Sequence, residues 1–176
     1  MTAESHAVGP LLIPGAEIAA RVAELGRAIA LAYRGRVPVL VPVLKGAAFF
    51  AADLARAIGG DLEVDYVAVA SYGAGLRSSG AVRLTADLSG SIENRDVILA
   101  EDIVDSGRTL EFLRRNLATR HPRSLATCTL LDKVQRREVA VPLEYVGFAV
   151  PDRFVVGYGF DAGGLHRGLP DIHVLA

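Results

Sequence analysis

Apolar positions recur at three- and four-residue steps over residues 15–34, where Ile18, Val22, Leu25 and Ile29 fall on one face; this spacing predicts a first helix. The period then changes. Residues 38–44 are continuously apolar, bounded by Arg34-Gly35-Arg36 before and Lys45-Gly46 after, and read as a short buried strand. Helical spacing resumes over 47–58 and stops at Gly59-Gly60. Residues 64–71, with β-branched and aromatic side chains, predict a second strand. The polar, glycine-rich residues 72–80 show too little periodicity for an element and predict a mobile loop of the kind that covers active sites. A third strand is expected at 96–100, a helix at 109–117 with Leu110, Leu113 and Leu117 on one face, and a fourth strand at 124–131. Apolar runs at 145–150, 154–158 and 172–175 complete the pattern. Strands alternating with helices predict an α/β fold, a mostly parallel central sheet flanked by helices. No repeat or linker divides the chain, so residues 1–176 read as a single domain.

Composition narrows the function more than the fold. With 51% hydrophobic and 22% charged residues, the chain is neither disordered nor fibrous. Nineteen basic against twenty acidic residues leave a net charge of −1, so no bulk positive field draws nucleic acid or an anionic membrane. The apolar run 37–44 is far short of the ~20 residues of a membrane helix and contains Pro38 and Pro42. Residues 1–10 lack the basic start and long apolar stretch of a secretory signal, so a cytoplasmic protein is expected. The single cysteine, Cys128, cannot form an internal disulfide and reads as a small buried hydrophobe. His6, His121, His166 and His173 are scattered without metal-ligand spacing.

Chemistry concentrates after the third predicted strand. There the chain runs Val97-Ile98-Leu99-Ala100-Glu101-Asp102-Ile103-Val104-Asp105-Ser106-Gly107-Arg108-Thr109-Leu110. Two adjacent acids follow an apolar strand, a third acid comes three residues later, and small residues open a helix. In open α/β sheets, ligands bind beyond the carboxyl ends of the strands. Small residues at a helix start leave backbone N–H groups free for a phosphate, and the hydroxyls of Ser106 and Thr109 can add to them. The plainer alternative is a helix cap at Asp105-Ser106 beside two solvated acids. It is disfavoured because adjacent acids ending an apolar strand must lose solvation or gain a cation. The Lys and leading Gly of a nucleoside-triphosphate phosphate loop are both missing around Gly107-Arg108-Thr109.

This segment resembles the phosphoribosyl-diphosphate motif of type I phosphoribosyltransferases. Further stretches resemble the hypoxanthine-guanine branch of that family, in the family's order, over about residues 38–170. They are Val43-Leu44-Lys45-Gly46, Ser71-Tyr72-Gly73 with Ser78-Ser79-Gly80, Leu130-Leu131-Asp132-Lys133, and Phe154-Val155-Val156-Gly157-Tyr158 with Asp161 and Arg167. The resemblance implies the type I fold with a small hood region, and a homodimer or homotetramer. It also implies transfer of 5-phosphoribosyl from phosphoribosyl diphosphate to N9 of a 6-oxopurine with Mg²⁺, in purine salvage.

Each segment then acquires an expected role from the resemblance. Glu101 and Asp102 hold the ribose hydroxyls and Mg²⁺, and Asp105 faces purine N7 as general acid/base. Asp105, Ser106, Gly107, Arg108 and Thr109 bind the 5-phosphate, although the position of Arg108 varies in the family and its side chain can equally face solvent. Lys45 and Gly46 form the pyrophosphate loop, with a cis peptide before the lysine, and Ser71, Tyr72 and Arg167 contact the same pyrophosphate. Lys133 donates to the purine O6, Phe154 stacks on the base, and the Val155 backbone reads its edge. Asp161 ligates a second Mg²⁺. Without the resemblance, Lys45 and Lys133 would read as surface lysines, and Phe154 equally well as a core aromatic at the start of a strand. Ala162-Gly163-Gly164-Leu165-His166 is more glycine-rich than the family pattern.

Two rivals remain at this level. One is the same transfer to another base, xanthine or a pyrimidine; Lys133 with Phe154-Val155 argues against a pyrimidine. The other is a sensor of phosphoribosyl diphosphate without turnover. Such a protein would be expected to lose the acid/base Asp or the pyrophosphate loop, and Asp105 and Lys45 are both present.

Overall fold

The computed structural model describes residues 7–71 and 82–176. In chain order the elements are β1 (Val8–Ile13), α1 (Gly15–Ala32), β2 (Val39–Leu44), α2 (Ala48–Ile58), β3 (Glu63–Val64), β4 (Val67–Ser71), β5 (Val82–Ala86), β6 (Asp96–Val104), α3 (Arg108–Ala118), β7 (Ser124–Asp132), β8 (Tyr145–Ala149), β9 (Val155–Val156) and β10 (Ile172–Leu175). A short 3₁₀ turn, Val134–Arg136, follows β7. The central sheet has the order β5-β4-β2-β6-β7-β8, with β3 also paired to β2. Every pair is parallel except β4 with β5. The expected α/β fold with a mostly parallel sheet is what the chain adopts.

Strand β2 and residues 97–100 of β6 are continuously apolar because both sheet faces are covered there. Val39, Val41, Val43, Val97 and Leu99 turn toward Leu110, Leu113 and Leu117 of α3. Their strand neighbours Leu40, Ile98 and Ala100 alternate to the other face, with Cys128 and Leu130, against Ile18, Val22, Leu25 and Ile29 of α1 and Phe50 and Leu54 of α2. Cys128 is fully buried, and burial pushes its thiol up to about 12.

Outside the sheet, β1, β10 and β9 form a three-stranded antiparallel hood. Ile13, Val155 and Ile172 from this hood drop into the core on the α1–α2 side and fasten it there.

Several boundaries differ from the sequence reading. The third strand runs on from Ala100 to Val104, because Ile103 and Val104 stay in register with Leu131 and Asp132 of β7. Glu101 and Asp102 are therefore strand residues, not a turn. The predicted strand at 64–71 is split into β3 and β4 at Asp65-Tyr66, where the Asp65 carboxylate accepts hydrogen bonds from the amides of Tyr66, Ser89 and Gly90. The run at 154–158 supplies only β9, since Gly157 and Tyr158 take positive φ and turn the chain. Strands β1 and β5 were not anticipated. The predicted loop at 72–80 lies outside the described residues.

Candidate active site

Because β2, β6, β7 and β8 run parallel, their carboxyl ends open on one edge of the sheet. The Lys45-Gly46 turn follows β2, Asp105 follows β6, Lys133 follows β7, and the segment leading to Asp152 and Phe154 follows β8. Val150 N donates to Asp132 O at 2.9 Å, which carries that last segment across the end of β7. A cavity of about 280 Å³ results, lined by Gly46, Asp102, Ile103, Asp105, Lys133, Phe154, Val155, Phe160, Asp161 and Arg167. A second cavity of about 140 Å³ adjoins it, sharing Asp102, Ile103 and Asp105 and adding Glu101, Ser106, Gly107 and Thr109. A larger hollow of about 790 Å³ on the outer side of α3 holds none of these acids.

The acid pair is packed, not solvated. Glu101 is buried, and its Oε2 has no hydrogen-bond partner. Burial first, and the negative charge of Asp102 second, push its carboxyl well above the usual range. Burial also raises Asp102, against the Ile103 amide and the nearby Arg167 guanidinium, which pull the other way. The peptide between Leu44 and Lys45 is cis, as the family resemblance implied. Gly46 lies so close to Asp102 that a Cβ there would sit 1.7 Å from Oδ2, so any side chain at this position would displace the Asp102 carboxylate.

The loop after β6 is shaped for an anion. Gly107 takes φ 88° and precedes α3, and Glu111 N donates the first helical bond back to Gly107 O at 2.9 Å. The amides of residues 108–110 therefore precede the helical ladder and face the loop without an intrahelical acceptor. Ser106 O accepts from the amides of Glu138 and Val139, which braces the loop from behind.

On the far side of the cavity, Lys133 is nearly buried, with Nζ 3.8 Å from Asp105 Oδ2. Phe154 stands 60% exposed at the mouth, and Val155 beneath it is buried. Arg167 lies 2.5 Å from Asp161 Oδ1 and donates to Gly159 O.

Comparison with known proteins agrees with this geometry. The model of the phosphoribosyl transferase domain matches residues 14–162. The chain belongs to the phosphoribosyltransferase family. The chain is 49% identical to the hypoxanthine phosphoribosyltransferase of Escherichia coli K12 over 164 residues, 92% of each protein. It is also 49% identical to the hypoxanthine-guanine phosphoribosyltransferase of Mycobacterium avium, over 94% of this chain and 84% of that one. Among solved structures, a hypoxanthine-guanine phosphoribosyltransferase from Bacillus anthracis superposes with a TM-score of 0.92 at 40% identity, covering 97% of this chain and all of its own. One from Staphylococcus aureus, a hypoxanthine phosphoribosyltransferase, gives 0.91 at 41% identity, over 96% and 92%.

Most site residues expected of a phosphoribosyltransferase meet in the two cavities, with informative exceptions. The Lys45 side chain is exposed and lines neither. The Arg108 guanidinium turns away to Glu138 at 2.8 Å, leaving only its backbone in the phosphate loop. Ser71 closes β4 opposite Val82, and Tyr72 lies outside the described residues. Asp161 and Arg167, assigned separately to metal and pyrophosphate, are paired with each other.

The donor set suits a hard cation. Glu101, with a buried and unpartnered Oε2, and half-buried Asp102 present carboxylate oxygen, which matches the oxygen preference of Mg²⁺. Among the described residues no group of three or more His, Cys, Asp or Glu is placed to hold a metal. An ion held here by two carboxylates would have room for substrate and water ligands, the usual habit of Mg²⁺.

Sequence reasoning missed the residues behind the site. Arg137 pairs with Asp132 and lies against Gly107, where a Cβ would be 3.2 Å from Arg137 Cδ. Arg136 and Asp152 contact Asp105 and Lys133. The one signal in the sequence is the density of charge over residues 132–138. Tyr158, part of a family motif, is an anchor instead: its hydroxyl donates to Asp53 of α2 at 2.7 Å.

Proposed function

We propose that this chain transfers the 5-phosphoribosyl group of phosphoribosyl diphosphate to N9 of a 6-oxopurine, hypoxanthine or guanine, giving IMP or GMP and pyrophosphate. The observation that carries this reading is the nearly buried Lys133 ammonium in one cavity with Asp105, Phe154 and Val155. An ammonium only donates, so it suits the O6 of hypoxanthine or guanine and opposes the amino group of adenine. Phe154 stacks on the base and the Val155 backbone reads its edge.

The transfer forms the C1–N9 bond as the C1–oxygen bond to pyrophosphate breaks, and the proton of the base passes to Asp105. The 5-phosphate sits on the amides of the loop from Asp105 to Thr109. Arg167, with the Lys45-Gly46 turn and Ser71-Tyr72, holds the pyrophosphate, for which a guanidinium fork is well shaped. Glu101 and Asp102 hold Mg²⁺, with Asp161 for a second ion. When bound, Mg²⁺ supplies positive charge against the diphosphate oxygens.

The enzyme is read as a cytoplasmic homodimer or homotetramer of single-domain chains. Among the described residues no helix is long and apolar enough to cross a membrane. Pyrophosphate release with phosphoribosyl diphosphate and Mg²⁺ tests the function, with hypoxanthine, guanine, xanthine, adenine and uracil in parallel. Release with hypoxanthine or guanine, lost on chelation, is the expected result. Release with adenine or uracil alone overturns the base assignment.

A further inference from the structure

Asp105 and Lys133 do not face each other alone. Asp152, beyond β8, places Oδ1 3.4 Å from Lys133 Nζ and Oδ2 3.7 Å from Arg136 Nε. Arg136 Nε lies in turn 3.2 Å from Asp105 Oδ1, and Asp105 Oδ2 lies 3.8 Å from Lys133 Nζ. The four side chains close a ring of alternating charge, in which each carboxylate gives one oxygen to each cation. Lys133 is the buried member, with a side chain 10% exposed; the other three are about half exposed. Neither Asp152 nor Arg136 lines the cavity.

A nearly buried ammonium needs a counter-charge. Asp105 is a poor sole partner, because its carboxylate must also serve the base. Asp152 has no such second task. It sits at hydrogen-bonding distance from Lys133, whereas Asp105 at 3.8 Å does not. An ammonium has three N–H groups, so one bond to Asp152 leaves donors free for the purine oxygen. Arg136, bridging the outer oxygens, offsets the repulsion between the two carboxylates.

We infer that Asp152 and Arg136 are positioning residues of the purine site, Asp152 holding and aiming the Lys133 ammonium and Arg136 spacing the two carboxylates. The inference rests on the purine-site reading above, and it makes discrimination for a 6-oxo base depend on two residues that never touch the base.

The test is steady-state kinetics of Asp152→Asn, Asp152→Glu, Arg136→Gln and the Asn/Gln double variant. In Asp152→Asn, the KM for hypoxanthine is expected to rise about tenfold, with kcat and the KM for phosphoribosyl diphosphate within about twofold. Asp152→Glu recovers most of that loss. Arg136→Gln, altering an exposed and screened pair, raises the same KM about threefold. The double variant loses less than the product of the two, because both changes act on one ring. An unchanged hypoxanthine KM in Asp152→Asn, with wild-type enzyme turning over normally, overturns the ring's role. So does an equal rise in both KM values, which marks general loosening. Wild-type protein that turns over no 6-oxopurine overturns the purine-site reading itself, and the ring with it.

Discussion

The two ends of the active-site floor solve the problem of buried charge in opposite ways. At the β6 end, Glu101 and Asp102 are two adjacent acids packed under the Lys45-Gly46 turn, with one oxygen lacking a partner and Arg167 as the nearby cation. At the β7–β8 end, two acids and two bases cancel one another around Lys133. The first arrangement leaves an acceptor oxygen open to a cation, and the second is complete without one. That difference follows the ligands proposed for each end. A diphosphate brings metal and charge with it, whereas a purine base is neutral and needs directed donors and acceptors already in place.

The most severe way to break the comparison is at Asp105, which belongs to both cavities. Asp105→Ala is expected to lower kcat by about 10²–10⁴-fold while the protein stays folded by circular dichroism. Turnover at the wild-type rate would remove Asp105 from the chemistry. Lys133→Ala separates the ends: the KM for hypoxanthine should rise about tenfold and the preference over adenine narrow, with phosphoribosyl diphosphate affinity unaltered. A matching loss of phosphoribosyl diphosphate affinity would mean the ends are not independent.

The acid end is probed by Glu101→Gln, read by melting temperature. The fold holds the Glu101 proton more tightly than the unfolded chain does, so stability declines as pH rises above the normal carboxylate range near 4.5. Replacement by Gln should therefore raise the melting temperature of the metal-free protein by about 2–4 °C at neutral pH, and more at alkaline than at acid pH. The stabilisation conferred by added Mg²⁺ should shrink in the same variant. A destabilised variant would contradict the uncompensated acid pair.

The smallest effect is expected inside the sheet itself. Cys128 lies in β7, the strand that leads into Lys133, and is fully buried, with its thiol raised to about 12 from an ordinary 9. A thiol reagent at mildly alkaline pH should leave it unlabelled until the protein unfolds. Because the folded state keeps this proton and the unfolded state releases it, stability should drain away between about pH 9 and 12. Ready labelling of the native protein would show that β7 opens, and with it the support beneath Lys133.

How much of this was legible in the chain depended on whether neighbours in sequence are also neighbours in space. Strands β2, β6 and β7 announced themselves because a sheet covered on both faces demands unbroken apolar runs. The end of β6 was hidden, because Glu101 and Asp102 look like a turn and only pairing with β7 reveals otherwise. Strand β1 was hidden by Gly9 and Pro10 and by its largely exposed face, and its pairing partner β10 comes from the other end of the chain. The phosphate loop could be seen as a local motif. The charge ring could not: Arg136 and Asp152 sit in charged loops where solvated side chains are the ordinary expectation, and the parallel β7–β8 ladder alone brings them together.

The hood gives the molecule an unexpected line of mechanical support. Phe154 is followed directly by β9, β9 is held by β10, and β10 is held by β1, while Leu175 N donates to Phe154 O at 2.8 Å. The platform proposed for the base is thus hung from the two extremities of the described chain, far in sequence from the acids that face it. A tag, fusion or proteolytic nick at either extremity acts on the grip for the base before it acts on the grip for phosphate.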